Sequence, residues 1–184
     1  MKKPIIIVAL EDELSHVDLH GIPVYHTGIG KVNAAIITMN AILSYKPDCI
    51  INFGTAGTLK DNLSGLLPVI AVCQRDIDCG ELAPRGQFPG EKSKYLFSAS
   101  GRGVICGTGD SFVTDPDEWT LRNCDLVDME LYAIAKSAEF MNVPWYSLKF
   151  VSDKADKNAI TSWRKTVKQG EEHFREWLLD FLKR

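Results

Sequence analysis

Residues Ile5, Ile6, Ile7 and Val8 form an apolar, β-branched run with no polar residue at alternate positions. A strand with one wetted face alternates with a period of two, so this run demands cover on both faces, as in the centre of a parallel sheet. The segment CIINFG, beginning at Cys49, reads the same way. Between the two, Val32 to Leu43 places apolar residues at helical spacing until Lys46 and Pro47 end the pattern. A strand, a helix and a strand in that order pair in parallel through a crossover, which makes this an α/β chain.

Further along, IPVYHTG is a strand candidate ending at Gly28, LPVIAVC another, and GVICGTGDSF a strand running into a turn. LVDMELYAIAKSAEFMNVPW changes from a short strand to a helix near Glu130, and WYSLKFVSD returns to strand. Residues 75–102 hold many Gly, Pro and charged residues and read as one long loop. From about Asn158, Trp163, Val167, Phe174, Trp177, Leu178 and Phe181 fit one closing amphipathic helix. With 184 residues, 45% of them hydrophobic, the chain can bury one substantial core, and no repeat or linker divides it. The expectation is a single domain over residues 1–184.

Charge and cysteine usage exclude several classes. A net charge of -3 with scattered Lys and Arg argues against nucleic acid and anionic membranes as partners. No apolar run approaches the roughly 20 residues of a membrane span, and PIIIVAL leads into acids instead of a signal-peptide cleavage site. The five cysteines show neither C-x-x-C nor Cys/His metal spacing, so they read as reduced thiols in a cytoplasmic chain. The stretch GIGK, Gly28 to Lys31, matches neither a Walker loop nor a Rossmann fingerprint. No metal and no cofactor is expected.

Three predicted strands run into acids or small residues. Val8 leads to Glu11, Asp12 and Glu13; Phe53 to a turn of Gly54, Thr55, Ala56 and Gly57; Val151 to Ser152 and Asp153. A fourth acid, Glu130, marks the strand-to-helix change. In a parallel sheet such ends gather on one edge, where α/β proteins place ligands. The two glycine-rich stretches are either tight turns or places where backbone N–H groups approach a ligand.

Taken in order, ALEDEL, TGIGKVNAA, INFGTAG, GTGDSFV, VDMELYAIA and VPWYSLKFVSDKAD resemble the successive signatures of the 5'-methylthioadenosine/S-adenosylhomocysteine nucleosidases, within the purine nucleoside phosphorylase superfamily. The resemblance runs from Ile5 to Asp156. It implies a three-layer αβα sandwich around a mixed, largely parallel twisted sheet, and a homodimer. It also implies hydrolysis of the N-glycosidic bond of a small purine nucleoside, with release of adenine. That chemistry needs a water activated on one face of the sugar and an acid to neutralise the departing purine. By resemblance, Glu13 is the water-activating base, Glu130 the ribose-hydroxyl ligand, and Asp153 the group that protonates the purine, with Ser152 beside it. Phe112 stacks on adenine, the Val113 backbone reads the base edge, Met129 lies beside the ribose, and Thr55 approaches Glu13 and the sugar. Leu10 and Ile29 match positions around the 5' substituent.

A phosphorylase of this superfamily holds its dianionic nucleophile with arginines. The loop here is EDE, which repels phosphate, so hydrolysis is favoured. The chain departs from the pattern in three places: a short connection from Leu14 to Thr27, a compressed 75–102 region, and Lys149 where the family commonly carries Arg in the network around the purine acid. Three other readings stay open: a phosphate-dependent phosphorylase, a hydrolase of another 6-amino purine nucleoside such as an aminofutalosine-like compound, and a non-catalytic nucleoside sensor.

Overall fold

The computed structural model describes residues 3–15 and 19–183. Residues 16–18 of the short 14–27 connection lie outside the described residues. In chain order the elements are β1 (Pro4–Val8), β2 (Val24–His26), α1 (Lys31–Tyr45), β3 (Cys49–Thr58), β4 (Leu66–Gln74), β5 (Leu96–Phe97), β6 (Val104–Thr108), α2 (Glu118–Asn123), β7 (Leu126–Asp128), α3 (Leu131–Phe140), β8 (Trp145–Asp153), α4 (Ala159–Thr166) and α5 (Gly170–Leu182).

The unbroken run of β1 is buried at all five positions, as its composition requires. Its side chains point alternately into two apolar clusters. Ile5 and Ile7, with Ile50, pack against Ala34, Ala41 and Ile42 of α1 and Leu131, Ile134 and Ala138 of α3. Ile6 and Val8, with Ile51 and Phe53, meet Phe174, Leu178 and Phe181 of α5. Phe53 stacks on Phe174 with ring centroids 4.4 Å apart. Each such buried aliphatic or aromatic side chain contributes roughly 1.5–3 kcal/mol, so a charged residue at Ile6 or Phe53 would open the α5 side.

β1 pairs in parallel with β2 and β3, and α1 makes the crossover between the last two strands. Among the described residues, five of the eight strand pairings are parallel and three antiparallel, in keeping with a mixed, largely parallel sheet. The sheet is not simply open. β3 pairs with both β7 and β8, β8 with β4, β4 with β6, and β6 with β7, so these five strands close into a ring. β1, β2 and β5 lie outside it.

Two expectations are corrected. Gly54 to Gly57 is not a turn: β3 continues through it to Thr58, held by β8 and β7, with a register shift between Ala56 and Gly57. The tail is not one helix: α4 and α5 are separated by a 3-10 turn, Val167–Gln169. At the start of α5, a Cβ on Gly170 would stand 2.7 Å from the Phe150 side chain, so the glycine lets the helix close on the sheet. Residues 75–102 are mostly loop, with a 3-10 turn at Gly80–Leu82 and β5 along the edge of β4. The GIGK stretch is a tight entry into α1, with Gly28 at φ 77° and Gly30 at φ 96°.

Candidate active site

One cavity of about 240 Å3 receives all ten residues named from the sequence: Leu10, Glu13, Ile29, Thr55, Phe112, Val113, Met129, Glu130, Ser152 and Asp153. It is built from loops and strand ends, and every strand of the closed ring supplies part of the wall. β3 gives Thr55 to Gly57, β4 leads to Arg75, β6 to Ser111 and Phe112, β7 to Met129 and Glu130, and β8 ends in Ser152 and Asp153.

After β1 the chain turns at Leu10, whose carbonyl accepts from the N–H groups of Glu13 and Leu14 at 3.1 and 3.4 Å. That turn curls the Glu13 carboxylate back into the protein. Oε1 accepts from Thr55 N–H at 2.7 Å and from the Thr55 hydroxyl at 2.6 Å, and Oε2 accepts from Leu10 N–H at 3.2 Å. Glu13 is buried, whereas Glu11 and Asp12 are exposed, Asp12 facing Lys168 at 3.1 Å. Gly54 lies beneath this group: a Cβ there would stand at an ordinary contact distance of 3.5 Å from Glu13 Oε1 and at a tighter 3.2 Å from Lys149 Nζ.

A second group of charges lies at the end of β7. Asp128 and Lys149 form a buried ion pair at 2.8 Å. Asp128 also accepts from the Thr108 hydroxyl and from Leu131 N–H. Burial opposes ionisation of Asp128, but the Lys149 ammonium and these donors hold its carboxyl below the usual range. Burial likewise opposes the charge on Lys149, and the Asp128 carboxylate outweighs it, holding the amine above its usual value. Glu130, at the start of α3, does not cap its own helix; its Oε1 accepts from Gly30 N–H at 2.8 Å. Burial, reinforced by the nearby Asp128 carboxylate, pushes Glu130 up to about 7. The GIGK backbone therefore grips a protein carboxylate.

Asp153 closes β8. Its Oδ2 accepts from the Ser152 hydroxyl at 2.8 Å and its Oδ1 from Ala155 N–H at 2.9 Å. Burial raises its carboxyl above the ordinary range against the pull of those two donors. A Cβ on Gly57 would stand 2.7 Å from Asp153 Oδ1, so the second glycine of GTAG makes room for this acid. Lys149, the departure from the family's Arg, pairs with Asp128, while Asp153 is held by Ser152 and the Ala155 backbone.

Phe112 is 40% exposed, so it serves as cavity wall and not as core, and its ring meets Trp163 edge-on at 6.4 Å. Ile29 is likewise half exposed. The sequence reading passes over Asp128, Arg75, Ile160, Trp163 and Arg164. Arg75 directly follows a strand end, the same signal that singles out Ser152 and Asp153. Its guanidinium clamps the loop after β6, donating to Gly109 O, Ser111 O and Ser111 Oγ. Ile160, Trp163 and Arg164 share one face of α4 by their i, i+3, i+4 spacing, a pattern that a single core helix over the tail would hide.

Residues 11–183 match the family model described as the Phosphorylase superfamily. The 5'-methylthioadenosine/S-adenosylhomocysteine nucleosidase of Bacillus subtilis (strain 168) is 34% identical over 182 residues, covering 86% of this chain and 79% of the relative. That of Buchnera aphidicola subsp. Acyrthosiphon pisum (strain Tuc7) is 31% identical over 172 residues, covering 80% and 74%. Among solved structures, Helicobacter pylori 5'-methylthioadenosine/S-adenosyl homocysteine nucleosidase superimposes with a TM-score of 0.87 at 21% identity, covering 97% of this chain and 98% of that one. Futalosine hydrolase of Helicobacter pylori strain 26695 gives 0.86 at 22% identity, covering 97% of each chain. At those identities the structures establish the fold, and the curated relatives carry the assignment further. The chain belongs to the 5'-methylthioadenosine/S-adenosylhomocysteine nucleosidase family of the phosphorylase superfamily.

Proposed function

We propose that this protein hydrolyses the N-glycosidic bond of an adenine nucleoside such as 5'-methylthioadenosine or S-adenosylhomocysteine, releasing adenine. The observation that carries the reading is the meeting of three buried carboxyl groups, Glu13, Glu130 and Asp153, beside a half-exposed aromatic ring in one cavity. Glu13, ringed by N–H and O–H donors, is set up to draw a proton from water. Glu130 accepts from the ribose hydroxyls with Met129 alongside. Phe112 stacks on the base, and the Val113 backbone meets its edge. Asp153, its carboxyl raised by burial, is the acid assigned to the departing purine, and Ser152 orients it. Leu10 and Ile29 border the 5' substituent.

The same reading takes residues 1–184 as one domain and its helices as the outer layers of a three-layer sandwich, α1 and α3 on one face and α5 on the other. It places the protein in the cytoplasm; no helix of the described residues is long and apolar enough to cross a membrane. It also takes the protein as a homodimer. Val32, Ile36 and Leu43 are 69%, 61% and 58% exposed on α1, a stripe whose opposite face is already packed on α3.

Incubation with methylthioadenosine, adenosylhomocysteine, adenosine and inosine, with and without phosphate, tests the chemistry by release of free base. Adenine release without phosphate is expected. Strict phosphate dependence, or no free base from any nucleoside, would reject hydrolysis. Glu13→Gln and Asp153→Asn should each remove most turnover while leaving the fold intact.

A further inference from the structure

The indole Nε1 of Trp163 lies 3.0 Å from Thr55 Oγ1, and that hydroxyl lies 2.6 Å from Glu13 Oε1. The direction of this chain is fixed by chemistry. An indole N–H can only donate, and a hydroxyl has one proton to give. Thr55 therefore accepts from Trp163 and turns its own proton to Glu13. The Thr55 N–H reaches the same oxygen at 2.7 Å. Oε1 is thus engaged by two short bonds, while Oε2 holds one longer bond, from Leu10 N–H at 3.2 Å.

We propose that Trp163 is a positioning residue for Glu13: through Thr55 it commits Oε1 to the protein and leaves Oε2 as the oxygen that takes the proton from the attacking water. This rests on the nucleosidase reading above. In the step so defined, a water O–H proton passes to Oε2 as the water oxygen bonds to the anomeric carbon. The electron pair of the breaking C–N bond leaves with the purine, which takes the proton held by Asp153. Glu13 finishes protonated and Asp153 ionised, and exchange with solvent restores both.

The indole is held in place independently of Thr55. Its ring meets Phe112 edge-on, and one turn further along α4 the Thr166 hydroxyl lies 2.9 Å from Ser152 O and 3.0 Å from Ser162 O, close enough to donate to either. A phenylalanine at this position would keep the ring contact and lose only the N–H. Without that donor, the Thr55 lone pair opens to water and its proton is free to turn from Glu13.

The test is a double-mutant cycle on adenine release. Trp163→Phe should lower kcat about fivefold to tenfold, the worth of one hydrogen bond, with KM changed less than about twofold. In a Thr55→Ser background, which keeps the hydroxyl, the same cost should recur; in Thr55→Val it should vanish, since the relay is already broken. An equal Trp163→Phe factor in the Thr55→Val background overturns the proposal. A second readout does not depend on turnover: the indole 15N–1H resonance of Trp163, assigned by its loss in Trp163→Phe, should move in Thr55→Val and in Glu13→Gln. A resonance unmoved by Thr55→Val refutes the relay. Absence of adenine release from the wild-type protein would instead strike the nucleosidase reading, and the resonance would then decide the relay alone.

Discussion

Replacing Glu130 by Gln keeps the shape of the side chain and an oxygen for Gly30 N–H, but removes a carboxyl that the fold holds at about 7 against an ordinary 4.5. An acid so raised costs the folded state about 3 kcal/mol once both states are ionised, at about 1.4 kcal/mol per pKa unit. The sign follows from which state releases its proton first. Below about pH 4 both states are protonated and Glu130 costs nothing. Between about 4.5 and 7 the unfolded chain ionises first, so wild-type stability falls as pH rises; above 7 the full cost is present. The variant has no such slope. For a chain of this size, about 3 kcal/mol corresponds to roughly 6–12 °C in Tm. Thermal melts of both proteins from pH 4 to 8.5 should show Tm values that coincide at the acid end and separate by that amount at the alkaline end, with the Glu130→Gln variant above the wild type. Acids remote from Glu130 titrate alike in both proteins, so the difference reports Glu130 together with its coupling to Asp128 and Lys149. A gap independent of pH, or a variant less stable at pH 8, would refute the argument. The stabilised variant should be a poor catalyst, because an amide offers the ribose hydroxyls only one acceptor oxygen.

Further tests address separate parts of the molecule. Gly57→Ala would drive a methyl to 2.7 Å from Asp153 Oδ1, and adenine release should fall at least about tenfold with helix content unchanged by circular dichroism. Lys149→Met leaves the Asp128 carboxylate buried without its cation, and chemical denaturation should show a loss of about 3–5 kcal/mol. Phe112→Ala should raise KM more than it lowers kcat, since stacking holds the base before and during the reaction alike. Ile36→Asp places a charge in the exposed stripe of α1, and sedimentation should report a dimer for the wild type and a monomer for the variant.

The parts of the fold legible in the sequence are those with a strong local pattern. Ile5 to Val8 read as a doubly covered strand, and Glu13 and Asp153 group as expected because they follow β1 and β8, both parallel to β3; Glu130 joins them from β7, which runs antiparallel to β3, so its arrival depends on the closed ring and not on parallel topology. Gly54 to Gly57 mislead because small residues signal a turn locally, whereas here they serve contacts distant in sequence: Gly57 admits Asp153, and Gly54 lies close under Lys149. Trp163 misleads for the opposite reason. Its spacing suits a core helix, and the 3-10 turn Val167–Gln169, which separates α4 from α5, leaves α4 to line the cavity. The partner of Lys149 is illegible for a related reason: the pairing joins β7 to β8, which are not neighbours in the sheet, so no local spacing reports it.

Closure of five strands into a ring has a mechanical consequence. A strand in an open sheet can tilt or slide with the free edge taking up the movement, but a hoop has no slack: displacing one member requires the other four to follow. The cavity residues contributed by β3, β7 and β8 are therefore braced circumferentially, like staves. β1 and β2, the strands that the short connection joins, lie outside the hoop. Trimming there leaves the circumference untouched, so a compact chain can lose peripheral length and still keep Asp128, Glu130 and Asp153 at fixed mutual spacing.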